Sequence, residues 1–126
     1  MMPTLLGNRT YFFSNNQKTT WLDALQFCRV FGMDLASVET SEENTLLQDH
    51  LASLRIKDHY VSISGHKIGR ANYIWANGAA VDNTIGWAHG EPAQFSTENC
   101  MIMWRGFWYD LPCEAYTGYF ICEQIP

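Results

Sequence analysis

The sequence predicts a single α+β domain stapled by disulfides, with two helices first and a loop-rich antiparallel β half after residue 58. Three observations predict it. Apolar side chains recur at helical spacing before residue 58 and then give way to short alternating or aromatic runs broken by glycine. Apolar residues make up 47% of the 126 and charged residues only 17%, which provides for a core and excludes a disordered chain or a coiled coil. Four cysteines, Cys28, Cys100, Cys113 and Cys122, form an even set without CxxC spacing, the pattern of disulfides in an oxidising compartment rather than of a zinc ribbon.

Taken in order, residues 9–14 read as a short strand, because Thr10, Tyr11, Phe12 and Phe13 are β-branched or aromatic and Asn15 and Asn16 end the run. Residues 21–31 read as a helix. Thr20 is placed to cap it, Trp21, Ala24, Leu25 and Cys28 share one face, and Gly32 stops it. A second helix opens at Thr40, which has capping-box spacing to Glu43, and Leu47, Leu51 and Leu54 form its buried stripe. Residues 60–64 alternate as a half-buried strand, and Tyr73, Ile74 and Trp75 suggest another. Further short strands are expected at residues 100–104, 107–109 and 119–122. Four of the five tryptophans, Trp75, Trp87, Trp104 and Trp108, fall in this half and are expected as core and loop anchors. No repeat or linker divides the chain, so residues 1–126 form one domain with its core at about 9–124.

The charge sum of −5 argues against the cationic grip that nucleic acid requires. No apolar run approaches the length of a membrane span, so no membrane insertion is expected. The triplet Asn8, Arg9, Thr10 is a glycosylation sequon at Asn8 and fits a secreted, extracellular protein. Met1, Met2, Pro3 and Thr4 lack the features of a signal peptide, which a secreted chain would already have lost. No GxSxG elbow, P-loop or HExxH occurs, and the chain is not read as an enzyme. Spacing alone leaves all three disulfide pairings open.

These signatures together resemble the C-type lectin-like domain. The stretch Trp21, Ala24, Cys28, Gly32, Leu35, Ala36 is similar to that family's first helix and its exit, and Trp75, Gly78, Trp87, Gly90, Glu91, Pro92 to its core tryptophan and the approach to its long loop. Asn99, Cys100, Trp108, Tyr109, Asp110, Cys113, Phe120, Ile121, Cys122 and Glu123 then follow in the family's order. Residues 61–65 stand where the family's aromatic core strand would be, without its aromatic. The resemblance implies two helices, two small antiparallel sheets and a long loop, and it implies the pairing Cys28–Cys122 and Cys100–Cys113. The opening at residues 7–13 is similar to small secreted invertebrate members.

In sugar-binding members a calcium ion at the long loop is held by a Glu-Pro-Asn triplet, a Glu before a cysteine, and the Asn-Asp of a Trp-Asn-Asp motif. Calcium takes six to eight oxygens, which carboxylates and amide carbonyls provide. Here the resemblance assigns the metal to Glu91, Glu98 and Asp110 and the ligand to Glu91, Glu98, Asn99, Tyr109 and Asp110. Ala93 and Tyr109 replace the two amides, so a degenerate site is expected, with calcium weakly held or lost. A second calcium site is not expected, since residues 59–81 contain no acid. Tyr109, Phe95 and Phe107 are the candidate aromatic platforms, and His66, Lys67 and Arg70 form a small basic loop. His89 lies beside Glu91, but a lone imidazole does not make a zinc site. The leading expectation is recognition of glycans or cell-surface glycoproteins, in innate defence as the resemblance implies. The rival is a calcium-independent module that binds a protein partner through the same loop.

Overall fold

The structure is a computed structural model that describes residues 3–93, 97 and 99–125. Its elements run β1 (Thr4–Leu6), β2 (Arg9–Phe13), α1 (Trp21–Val30), β3 (Met33–Leu35), α2 (Ser41–Ser53), β4 (Val61–His66), β5 (Cys100–Trp104), β6 (Phe107–Leu111) and β7 (Tyr119–Gln124). The strands lie in the order β1-β2-β7-β4-β5-β6, with β3 also on β7. Two antiparallel groups are present, as expected, and β7 joins them. It pairs antiparallel with β2 and β3 and meets β4 in a short parallel step, Val61 to Tyr119 and Ser62 to Phe120. The sheet is therefore mixed.

Both helices form where capping chemistry starts them. The Thr20 side chain accepts from the Asp23 N–H at the head of α1. At α2 the Thr40 hydroxyl takes the Glu43 N–H while the Glu43 carboxylate takes the Thr40 N–H, a reciprocal capping box. α1 buries Trp21, Ala24 and Cys28, and α2 buries Leu47, Gln48 and Leu51; Leu54 caps α2 and is only partly covered. The Trp21 indole N–H reaches the Ile63 carbonyl at 2.7 Å, across the sheet irregularity between Ser62 and His66, and so docks α1 on β4.

Two expectations about strands need correction. Residues 61–64 are buried on both faces rather than on one. β4 is an interior strand, and its serines are satisfied inside: Ser64 Oγ lies 3.0 Å from Ser37 Oγ and accepts from the Ala76 N–H. Tyr73, Ile74 and Trp75 make only isolated bridges, Ile74 with His66 and with Ala80, because the chain turns at once through Gly78. Two strands were not anticipated, β1 and β3, each three residues long and held by pairing to β2 and β7.

The disulfides are Cys28–Cys122 and Cys100–Cys113, and no cysteine is free. The first ties α1 to β7, and the second ties the start of β5 to the segment after β6.

Candidate functional site

A long loop, described at residues 67–93, 97 and 99, connects β4 to β5. Tryptophans seat it. Trp75 is fully buried, its ring edge-on to Trp108 at 5.4 Å, and Trp87 packs against both Trp108 and Tyr73. The backbone seals the same contact. The Trp108 N–H donates to the Gly86 carbonyl at 2.7 Å, and the Ala88 N–H donates to the Trp108 carbonyl at 3.1 Å. Loop residues 86–88 thus line the outer edge of β6. Gly86 is required there by space, since a Cβ would sit 2.3 Å from the Trp108 ring. Of the four tryptophan anchors, Trp75 and Trp108 are in the core, and Trp87 and Trp104 are half-buried.

Asp110 lies on β6 on the same face as Trp108, turned toward the loop. It is buried, at 6% exposure, and both of its oxygens accept hydrogen bonds from the chain. Oδ2 takes the Tyr73 hydroxyl at 2.9 Å, and Oδ1 takes the Ala93 backbone N–H at 3.1 Å. The second contact carries the loop back onto the sheet at residue 93, two residues beyond Glu91. Glu91 is half-buried, donates its N–H to the Ala88 carbonyl and precedes Pro92 through a cis peptide bond. The Lys67 ammonium lies 5.4 Å from the centre of the Tyr73 ring. The Asn99 carbonyl takes the Lys67 N–H at 2.9 Å, which fixes the two ends of the loop together.

The structure therefore brings Asp110, residue 93 and Glu91 to one end of the loop. Glu98, Phe95 and Gln94 lie outside the described residues. Tyr109 is placed elsewhere: neighbours on a strand point to opposite faces, and its ring packs edge-on against Trp104 at 5.4 Å. Tyr73 was missed as a site residue. Thirty-seven positions separate it from Asp110, and nothing local in the sequence marks the pair.

His66, at the base of the loop, is partly buried, and its Nδ1 accepts the Ile68 N–H at 3.2 Å. Burial, with Arg70 and Arg29 nearby, holds its imidazole below the usual pKa. His89 is exposed. Asn8 is exposed in the β1–β2 turn.

Of the three acids expected to hold a metal, Glu91 and Asp110 are among the described residues, and each Asp110 oxygen already accepts one hydrogen bond from the chain. A calcium shell wants oxygens with free lone pairs converging on one point. Here two proton donors, a hydroxyl and an N–H, take one lone pair of each carboxylate oxygen, which leaves fewer for a metal. Among the described residues no three acidic, histidine or cysteine side chains gather as a metal site.

Comparison with known proteins places this geometry. The lectin C-type domain family model matches residues 17–124. A C-type lectin of Aedes aegypti, mosGCTL-7, is 26% identical over 96% of this chain and 87% of its own length. Mouse C-type lectin domain family 12 member B is 31% identical over 94% of this chain, which spans only 42% of that protein. The mouse scavenger receptor C-type lectin carbohydrate-recognition domain superposes with a TM-score of 0.84 at 23% identity, covering 97% of this chain and 94% of that one. A calcium-independent type II antifreeze protein superposes with a TM-score of 0.81 at 28% identity, covering 97% and 90%. With the family model spanning both helices, the tryptophan-seated loop and both disulfides, the chain belongs to the C-type lectin domain family.

Proposed function

We propose that this chain is an extracellular recognition domain whose loop face binds a protein or glycoprotein partner without calcium. The observation that carries the reading is the engagement of both Asp110 oxygens by the chain's own donors, the Tyr73 hydroxyl and the Ala93 N–H. In a calcium lectin a metal ion draws such a loop together. Here hydrogen bonds close the loop onto the sheet, so a binding surface is preorganised with no ion. The similarity to a calcium-independent member of the fold supports the reading. So does the substitution of Ala93 and Tyr109 for the two amides of the calcium motif. The paired cysteines and the sequon at the exposed Asn8 support an extracellular setting.

A second reading is calcium-dependent glycan recognition, with an innate-defence role. The acids Glu91 and Asp110 at the same end of the loop favour it, and Glu98 would complete the trio. Thermal unfolding with and without millimolar calcium, followed by a glycan array with and without chelator, decides between the two. The proposal expects an unchanged midpoint and no chelator-sensitive signal. A midpoint raised by several degrees together with chelator-sensitive glycan binding overturns it.

A further inference from the structure

A second surface, away from the loop, collects aromatic rings and cations. It begins at Lys18, whose ammonium lies 5.0 Å over the Tyr119 ring and 3.3 Å from His59 Nδ1. His59 is edge-on to Tyr119 at 5.4 Å. The next residue, Tyr60, packs edge-on against Trp104 at 5.6 Å and Tyr116 at 6.2 Å. Trp104 carries Tyr109 on one side and the Arg105 guanidinium, 4.5 Å from its ring centre, on another. The Arg105 N–H donates to the Lys57 carbonyl, and the Lys57 side chain runs beside Gly106. Four of the six tyrosines therefore stand in one continuous strip, crossing β7, the start of β4, β5 and β6.

The charge on this strip is opposite to that of the molecule. The chain carries −5 overall, yet Lys18, Lys57 and Arg105 flank the rings and outnumber the exposed Asp58 beside Trp104, and none of the three forms an ion pair among the described residues. Arg9 and Arg29, by contrast, are paired with Glu43, Glu123 and Asp34. Unpaired cations at both ends of a row of half-exposed tyrosines suit a chain that is both anionic and ring-bearing. Its flat faces would lie on the aromatics, and its charges would reach Lys18 at one end and Arg105 and Lys57 at the other.

We infer that this strip is a binding site for acidic polysaccharide, a glycan chain carrying sulfate or carboxylate groups. The observations disfavour other occupants. β7, β4 and β5 are interior strands whose backbone is committed to pairing, and loop residues 86–88 pair with the outer edge of β6 at Trp108, so little edge is left for an extended acidic peptide to join. Phe107 is the one purely aliphatic or phenyl side chain among the strip's described exposed large hydrophobics, too little to insert into a bilayer. The inference does not rest on the loop reading, because the residues changed on the strip, Lys18, Arg105 and Tyr116, lie outside the loop.

The experiment measures binding of the full chain to dextran sulfate and to alginate, with unsulfated dextran, polyglutamate and phosphatidylserine vesicles as comparisons, over a range of salt. Binding to either acidic polysaccharide and not to plain dextran is expected, and the responding probe identifies the anion. The double variant Lys18→Gln, Arg105→Gln should weaken binding about tenfold and flatten the dependence of log affinity on log salt by roughly one unit per lost cation. Tyr116→Ala should weaken binding several-fold and leave the salt slope unchanged. Absence of binding, equal binding of polyglutamate or vesicles, or an equal loss in Lys67→Gln, Arg70→Gln would overturn the inference. The salt slope of the unmodified chain needs no variant and must be steep.

Discussion

At the scale of single residues, Asp110 and Tyr73 show how a hydrogen bond fastens the loop to the sheet. Asp110 is buried on β6 and Tyr73 sits at the mouth of the loop, so the contact spans the loop and the sheet. A hydrogen bond to a buried charged group is worth about 1.5 to 3 kcal/mol. Tyr73→Phe keeps the ring against Trp87 and removes the hydroxyl that reaches Asp110, so urea unfolding should show a loss of about 2 kcal/mol, equal with calcium and with chelator. A loss seen only in calcium would tie the pair to a metal. His66 sets a different dependence. Its imidazole is held below the ordinary value by burial and by Arg70 and Arg29, so the folded state favours the neutral ring. The unfolded chain then binds the proton more readily. Stability from this residue is present above about pH 6.5 and is lost as pH falls through the folded value. Protonation also ends the acceptance of the Ile68 N–H at Nδ1. The thermal midpoint should drop between pH 7.5 and pH 5, and His66→Gln should reduce that drop; an identical drop in the variant would assign it to other groups.

At the scale of elements, α2 contains a conflict. Its cap is complete and Leu47 and Leu51 are buried, but Gln48 is also buried at 7% exposure with neither amide atom paired among the described residues. An unsatisfied buried polar group costs about 1 to 3 kcal/mol. Gln48→Met retains the length and removes the amide, so the denaturant midpoint should rise by an amount equivalent to about 1 kcal/mol; a fall would mean that the amide is bonded in solution. α2 also shows what was legible beforehand. Its start was readable because Thr40 and Glu43 are three apart, and α1 was readable from Thr20 and the 3.6-residue stripe, since both signals are local. β1 and β3 were not readable. A three-residue strand has no period to detect, and β3 exists because β7, about ninety residues later, pairs with it. The run at 61–64 was misread for a related reason. Alternating serines look solvent-facing until Ser37 and the Ala76 N–H, remote in sequence, are seen to satisfy Ser64. Asp110 and Glu91 were assigned to the site from motif position. The role of Tyr73 and the packing of Tyr109 on Trp104 arise from the loop's path, which no nearby residue encodes.

At the scale of the whole molecule, stability is distributed between two cross-links of unequal reach. Cys28–Cys122 closes 94 residues and Cys100–Cys113 closes 13. In the chain-entropy account the long closure contributes about 4.5 kcal/mol and the short one about 3 kcal/mol. Replacing Cys100 and Cys113 by alanine should leave a folded domain with a lowered midpoint. Replacing Cys28 and Cys122 should lower it further, as read by calorimetry. The reverse order would mean that the loop clamp, rather than the bond between α1 and β7, governs cooperativity. Arg9 supports the same seam. It pairs with Glu43 on α2 and Glu123 on β7, beside a Tyr11 hydroxyl whose pKa burial and those two carboxylates push up to about 12.

β7 is the common neighbour of β2, β3 and β4, and it holds the partner of Cys28. During synthesis on the ribosome, everything up to residue 118 emerges with its two groups of strands still lacking the one that pairs with both. Oxidation of Cys28 to its proper mate must wait for residue 122, while Cys100 and Cys113 can meet earlier. Maturation of this domain is therefore a late event, timed by the arrival of one strand, and a nascent chain stalled before that strand would present its open seam to chaperones.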